Sequence, residues 1–369
     1  MTDLRIEKLA DVLVNYSVAV QPGDRVLIRG EAITAPLLNA IYAQVLQAGG
    51  HPLLNPSLSG TTELFFQYAS DEQIEYIHEP IKLIMETYDV VINVLGTENT
   101  KALSNVDPAR MVQRSRAERE IAETFSRRSA AGEVRWVISL FPVQAYAQDA
   151  EMSLREYEDF VYGACLPDMD DPVGHWRSFS AWQQKIVDWL AGKEQVRVVA
   201  PETELTMSIA GRTFINSDGK KNMPSGEVFT SPVEDSIEGH VYFSYPAIYR
   251  GREVSGVRLW IEHGRVVQAT ADKNEQFLLQ TLDTDEGSRY FGEFAIGTNK
   301  GINRFTRQIL FDEKINGSFH MALGRGFPEA GGQNMSSIHW DMICDMHSGG
   351  EIWVDGKLLY RNGEFVIPL

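Results

Sequence analysis

The stretch from Leu9 to Gly50, LADVLVNYSVAVQPGDRVLIRGEAITAPLLNAIYAQVLQAGG, predicts a helix, a strand and a second helix in direct succession. The turn-forming residues Gln21–Asp24 end the first helix and lead into Arg25–Arg29, a short apolar run typical of a buried strand. Helical periodicity then extends from Thr34 to Ala48 and stops at two glycines, which commonly end helices. This unit therefore predicts a layered α/β fold.

The same alternation continues through the first half of the chain. Further strands are predicted at His51–Asn55, Asp89–Gly96 and Val134–Phe141, with helices between them that include one long helix over residues 107–130. The alternation predicts a doubly wound, mostly parallel sheet, and we assign residues 1–195 to a Rossmann-like α/β scaffold domain. No G-x-G-x-x-G fingerprint follows the first strand, so the sheet is interpreted as a scaffold rather than a dinucleotide site.

Strand patterns dominate after residue 195. Short alternating runs are separated by turn signals, one helix is predicted at Lys273–Leu282, and the chain ends in a hairpin with Asp355 and Gly356 at its turn. We therefore expect residues 196–369 to form a β-rich α+β domain, and every candidate site residue described below lies in it.

Composition excludes several classes of partner. The net charge of −17 argues against nucleic acid and anionic membranes, because both attract basic surfaces. No segment approaches the roughly 20 apolar residues that a membrane-spanning helix needs. The two cysteines, Cys165 and Cys344, match no disulfide framework, and no basic leader precedes the first helix. A cytoplasmic protein is expected.

Near the C-terminus His339 and Asp341 stand two residues apart in an apolar strand pattern, and His320 precedes them. Side chains alternate faces along a strand, so His339 and Asp341 point in the same direction. Imidazole nitrogen and carboxylate oxygen together suit zinc, cobalt or manganese. A structural pair, in which Asp341 only orients His339, is the alternative.

Two glutamates occur in matching settings. Glu227 and Glu293 each follow a glycine and begin an apolar strand-like run, an arrangement that brings a carboxylate and the backbone close to a concave site. The alternative is an ordinary surface glutamate in each case. Two glutamates, two histidines and an aspartate would together fit a two-metal hydrolytic centre.

Four segments carry a resemblance to a known family. GEVFTSP (226–232), GEFAIGTN (292–299), ILFDEKINGSFHMALG (309–324) and IHWDMICDM (338–346) resemble the M29 metallo-aminopeptidases, and the similarity covers essentially the whole chain. The resemblance implies two divalent ions per chain, Zn, Co or Mn, held by Glu227, Glu293, His320, His339 and Asp341. It also implies a homodimer that cleaves the N-terminal peptide bond of short peptides with a water activated by two metals, and Glu227 or Glu293 as the catalytic carboxylate that bridges them.

The chain departs from the family at one position. A tyrosine usually follows the first histidine by seven residues, and here that position is Phe327, which lacks a hydroxyl donor for a developing oxyanion. Two alternatives therefore stay open: a metal-dependent hydrolase of another amide or ester, and a non-catalytic relative that keeps the fold.

Other charged residues near the motifs have less specific interpretations. Glu313 and Glu329 are candidates for the general acid or base, and Asp345 for a partner that orients the histidines. Lys314 and Arg325 are interpreted as solvated charges, with contacts to substrate carbonyls or carboxylates as the alternative.

Overall fold

The computed structural model describes residues 3–369 and separates into two compact units. The first runs from the beginning of the described chain to Trp176 and takes in Gly219–Pro224; the second consists of Arg177–Asp218 and Ser225–Leu369. The sequence predicts a domain boundary near residue 195, and this boundary stays a prediction.

The first unit is built on a parallel five-stranded sheet with the order β2-β1-β3-β4-β8. The strands are β1 Arg25–Glu31, β2 His51–Ser57, β3 Val90–Leu95, β4 Arg135–Leu140 and β8 Asn222–Met223. The helices are α1 Leu4–Asp11, α2 Ala35–Gln47, α3 Thr61–Tyr68, α4 Asp71–Glu75, α5 Glu79–Thr87, α6 Pro108–Ala117, α7 Arg119–Ala130, α8 Gln144–Asp149 and α9 Leu154–Cys165. Because the strand order reverses beside β1, right-handed crossovers place helices on both faces, which confirms the predicted doubly wound sheet.

Alternation along the strands fills the two faces of this sheet. Leu27 of β1 and Val91 of β3 pack with Met85 of α5 on one face, where Phe125 of α7 covers them. The neighbouring β1 residues point to the other face, where α2 packs against the strand. The long helix predicted over residues 107–130 is instead two helices, because the backbone at Glu118 has ψ near −3° and interrupts the α-helical hydrogen bonding.

The second unit contains two antiparallel sheets. The larger has the order β14-β13-β10-β6-β5-β18-β19-β20, with strands Arg265–Thr270, Val257–Glu262, Glu238–Phe243, Thr203–Ser208, Gln195–Ala200, Glu351–Val354, Lys357–Arg361 and Glu364–Phe365. The smaller has the order β17-β16-β15-β9-β7, with strands His339–Asp345, Ser318–Gly324, Phe291–Gly297, Glu227–Thr230 and Ile215–Ser217. A ribbon of β11 Ala247–Tyr249 and β12 Arg252–Val254 and the helices α11 Glu275–Leu282 and α12 Ile309–Asp312 complete it, while α10 Pro172–Leu190 contributes its part after Trp176. The β-rich character predicted for the second half of the chain is confirmed.

Side chains from both antiparallel sheets form one apolar core. Phe319 and Met321 of β16 lie in this core with Leu205 of β6 and Phe243 of β10. Because strand residues alternate, the residues between them on β16 face the opposite side of the smaller sheet. That opposite face carries the site. No helix within residues 3–369 combines the length and the apolar composition required to cross a bilayer.

Candidate metal centre

The five predicted ligands converge on one face of the smaller sheet. Four neighbouring strands supply them: β9 supplies Glu227, β15 Glu293, β16 His320, and β17 both His339 and Asp341. The strand register puts Ala322 between Glu293 and Asp341. The side chain between the two carboxylate-bearing positions is therefore only a methyl group. The predicted common direction of His339 and Asp341 follows from their alternation on β17.

Glu227, Glu293 and His320 form one group of ligand atoms. The His320 Nε2 atom lies 3.5 Å from Glu227 Oε2 and 3.6 Å from Glu293 Oε1. All three side chains are buried. Their ligand atoms lie within 4.8 Å of one another, close enough to share a metal ion.

Glu293, His339 and Asp341 form a second group. The His339 Nε2 atom is 3.3 Å from Glu293 Oε2 and 3.4 Å from Asp341 Oδ1. Glu293 therefore presents one oxygen to each group, and it is the residue that the two groups share. The side chain of His339 is 31% exposed, which makes this group the one nearer to solvent.

Several buried polar atoms here lack hydrogen-bond partners. Within residues 3–369 no hydrogen bond satisfies Glu227 Oε2, Asp341 Oδ1 or either ring nitrogen of His320. The contacts of 3.3–3.6 Å between these groups are too long for good hydrogen bonds. Since buried polar groups are rarely left unsatisfied, the unpaired atoms fit a divalent cation that would occupy the space between them.

The charges of this cluster shift the pKa values of its histidines. Burial works to lower the pKa of His320, but the carboxylates of Glu293 and Glu227 outweigh it and raise the pKa to about 9. Burial likewise opposes the effect of Asp341 on His339, and the carboxylate prevails, raising the pKa of His339 to about 12. Burial also raises the pKa of Glu227. Metal binding needs a neutral imidazole, so a cation would compete with protons for these two histidines.

A backbone carbonyl orients one of the histidines. His339 Nδ1 lies 2.9 Å from the carbonyl oxygen of Arg325 and donates to it in the tautomer that leaves Nε2 as a ligand atom. Asp345, the partner that the sequence suggested for the histidines, instead contacts His347. That suggestion was wrong, because Asp345 lies at the far end of β17 from His339.

Lys314 lies beside the candidate ligands, and its interpretation as a solvated charge was wrong. Its side chain is fully buried rather than solvated, and its ammonium group contacts Glu313 and lies 3.7 Å from Glu227 Oε1. Burial raises the pKa of Glu313 to about 8, partly offset by Lys314. The neighbouring apolar residues Phe311 and Ile315, both buried, were the local signal that could have indicated a buried lysine.

Aromatic side chains stand beside the ligands. Phe327 packs against Phe229 with ring centroids 4.9 Å apart and meets the His339 ring edge-on at 5.3 Å. The hydroxyl of Ser231 fixes this segment, since it accepts from the Phe327 amide and donates to the Gly292 carbonyl. Glu329, the other suggested acid or base, is exposed on the short helical turn that follows.

Known proteins match this chain over nearly its full length. The sequence profile of the thermophilic metalloprotease (M29) family matches residues 2–365. Aminopeptidase 2 of Geobacillus stearothermophilus is 26% identical, with 99% of this chain and 98% of that protein aligned. Aminopeptidase T of Thermus thermophilus is 24% identical over 97% of this chain and 95% of that protein.

Two solved structures share the fold. Wild-type AmpT from Thermus thermophilus superposes with a TM-score of 0.86 at 21% identity, covering 98% of this chain and 99% of that one. The 2,5-dihydroxypyridine dioxygenase of Pseudomonas putida KT2440 superposes with a TM-score of 0.62 at 15% identity, covering 98% and 97%. A peptidase and a dioxygenase both share this fold, so the fold alone does not identify the reaction of this chain. The family assignment therefore rests on the sequence match. Because that match extends from residue 2 to residue 365, the chain belongs to the M29 family of metalloproteases, enzymes that hydrolyse peptide bonds.

Proposed function

We propose that this protein is a metal-dependent aminopeptidase that releases the N-terminal residue of short peptides. Two divalent ions, Zn, Co or Mn, would be held by Glu227, Glu293, His320, His339 and Asp341. The observation that carries the proposal is the convergence of these five side chains, with unpaired buried ligand atoms, on one face of a sheet. When bound, such ions polarise a carbonyl and make water nucleophilic near neutral pH.

Individual residues of the chain would have different roles at this site. Glu293 faces both ligand groups, which supports it over Glu227 as the bridging catalytic carboxylate. The Arg325 carbonyl holds the His339 ring in one orientation, and Ala322 leaves room above the sheet. When bound, an ion would also offer a position for the unprotonated N-terminal amine of a substrate. Phe229 and Phe327 would contact the apolar side chain of the cleaved residue.

The same proposal includes the catalytic region, the oligomeric state and the cellular compartment. We propose that residues 196–369 carry all the catalytic and metal-binding residues and that a cytoplasmic homodimer is the working form. Large apolar side chains on the first unit are exposed, among them Leu58 at 66% and Tyr68 at 73%, and a partner subunit would cover such residues. Cys165 and Cys344 are buried free thiols, as suits a reducing compartment. A light-scattering mass of 41.5 kDa, that of one chain, would remove the dimer from the proposal.

Metal removal and restoration test the function. The protein is stripped with a chelator and assayed on leucyl-anilide before and after zinc, cobalt or manganese is returned. We expect activity to disappear and return, because a polarised carbonyl and a nucleophilic water near neutral pH would both depend on the bound ions. Glu293→Gln should reduce the restored activity by about a thousandfold or more, since it disturbs both ligand groups.

Two control substrates separate the alternatives. Acetyl-leucyl-anilide lacks the free amine, and a leucine ester lacks the amide. Hydrolysis of the acetylated compound at the same rate would point to a general amide hydrolase. Ester hydrolysis alone would point to an esterase, and no turnover with any metal would reduce the resemblance to one of fold.

A further inference from the structure

Lys314 introduces an asymmetry between the two ligand groups. We propose that the Glu293, His339 and Asp341 group binds one ion tightly, while the Lys314 ammonium makes the group containing Glu227 a weak, exchangeable second site. The inference deepens the proposed function and takes its set of metal ligands from it.

Lys314 is buried between two carboxylates. Its side chain has no solvent exposure, and its ammonium lies between Glu313 and Glu227, 3.7 Å from Glu227 Oε1. Glu227 therefore has one oxygen beside the ammonium and only Oε2, 3.5 Å from His320, directed toward the other ligands. Lys314 also holds the Glu313 carboxylate, an oxygen donor of the kind that divalent cations bind.

The ammonium acts against a second cation in two ways. A divalent ion bound by Glu227 would share that carboxylate with a positive charge, and two like charges in a buried site repel strongly. The ammonium also pairs with carboxylate oxygens of Glu227 and Glu313, which could otherwise coordinate a metal ion. The group of Glu293, His339 and Asp341 differs, since within residues 3–369 the ion-pair contacts of Glu293 and Asp341 are with histidines.

The hydrogen bonding of the two histidines also favours tighter metal binding by the group that contains His339. His339 Nδ1 is bonded to the Arg325 carbonyl, so its Nε2 is already oriented as a ligand. The buried His320 ring has no hydrogen-bond partner for either nitrogen within the described chain. Partners behind a ligating histidine typically change metal affinity by about 10–100-fold, so the His339 group has a second advantage.

Metal counting on the full-length protein tests this inference. Chelator-stripped protein is titrated with Co²⁺ by calorimetry, and metal per chain is measured after desalting. We expect one retained ion and a second binding event about a hundredfold weaker. Two ions of equal affinity would overturn the inference.

Variants identify which group holds which ion. Asp341→Asn should abolish the tight event, whereas Glu227→Gln should abolish the weak event and leave the tight one within about twofold. Lys314→Met should strengthen the weak event at least about tenfold, because the competing cation is gone. The matched control is Lys300→Met, whose side chain is 71% exposed and which should change neither event. The reverse pattern in Asp341→Asn and Glu227→Gln would refute the assignment, and this pair decides alone if Lys314→Met does not give a native circular dichroism spectrum.

The two proposals fail in different ways. Ordered tight and weak binding without anilide hydrolysis under any metal load would refute the aminopeptidase and leave the asymmetry intact. Hydrolysis by a protein that binds two equal ions would refute the asymmetry and leave the aminopeptidase intact.

Discussion

At the scale of single residues, His320 shows how the site differs from an ordinary core. A fully buried imidazole usually has a hydrogen-bond partner for at least one nitrogen, and His320 has none within the described chain. Its surroundings are carboxylates rather than neutral acceptors, and they raise its pKa against the effect of burial. A bound cation would pair with these buried carboxylates and take a neutral His320 ring as a ligand.

Phe327 provides a prediction about rate. Its ring is partly exposed and packs against Phe229 and His339, so Phe327→Tyr adds one oxygen without disturbing the core. We expect the added hydroxyl to raise kcat by about tenfold or more, because oxyanion donors contribute factors of this size. Steady-state kinetics on leucyl-anilide measure it, with Phe65→Tyr in the first unit as the control. An unchanged kcat would show that this position does not reach the reacting carbonyl.

Asp285 provides a prediction about pH and stability. Burial acts to raise the pKa of its carboxyl, but hydrogen bonds from Ser337, Ser336 and Ser288 outweigh it and hold the pKa well below the usual range. Through Ser336 and Ser337 the carboxylate anchors the segment that leads into β17. Asp285→Asn should therefore lower the free energy of unfolding by about 2 kcal/mol at pH 7.

The sign of the pH dependence follows from the lowered pKa. The carboxylate contributes its stability above the pKa of the unfolded chain, about 3.9, and the contribution is lost as the pH falls toward the lower folded value. Urea unfolding at pH 7 and pH 3.5 should show the gap between parent and Asp285→Asn shrinking in acid. The control is Asp283→Asn, an exposed partner of Arg289, which should change stability by less than about 0.5 kcal/mol. A gap that is constant with pH would contradict the assignment.

At the scale of elements, β16 carries core residues on one face and site residues on the other. Phe319, Met321 and Leu323 enter the apolar core, while His320 and Ala322 face the site. Both sets are fully buried, yet they are buried against different surroundings. The period of two therefore lets the strand carry a metal ligand without interrupting the core.

Ala322 tests this separation. Its register between Glu293 and Asp341 means that Ala322→Leu would place a larger apolar side chain among the ligands. We expect metal affinity to fall at least about tenfold, because the ligands can no longer close on one ion. Calorimetric Co²⁺ titration measures the effect, and Met321→Leu, which faces the core, should leave metal affinity unchanged. Normal metal binding by Ala322→Leu would mean that the ion lies away from this position.

At the scale of the whole molecule, α10 joins residues of both compact units. Its residues after Trp176 belong to the second unit, where Ile186 and Leu190 lie in the apolar core. Gln183 on the same helix donates to the backbone oxygen of Glu227. The helix thus supports the strand that carries one of the proposed ligands.

Two fragments locate the beginning of the domain. Residues 177–369 retain this helix from Arg177 onward, and residues 196–369 lack it. The shorter fragment therefore loses the core side chains of Ile186 and Leu190, the aromatic and apolar residues packed beside them, and the hydrogen bond to Glu227. We expect the longer fragment to unfold cooperatively and the shorter one to lose about 4 kcal/mol or more of stability. Urea unfolding followed by circular dichroism compares them, and equal midpoints would place the start of the domain near residue 196, as the sequence predicts.

Local periodicity was enough to predict much of the molecule from its sequence. The alternation of helix and strand in the first half predicted a parallel, doubly wound sheet, and the period of two in HWD placed His339 and Asp341 on one face. These features depend on neighbouring residues, which any single sequence displays. The break at Glu118 was missed, because no proline or glycine marks it.

Tertiary structure alone decided the relations between distant strands. That Glu293 rather than Glu227 faces both ligand groups depends on the register of β9, β15, β16 and β17, and sequence spacing does not specify that register. The burial of Lys314 and the bond from His339 to the Arg325 carbonyl arise in the same way. The physical reason is that periodicity determines the direction in which a side chain points, whereas only the packed sheet determines which side chain it meets.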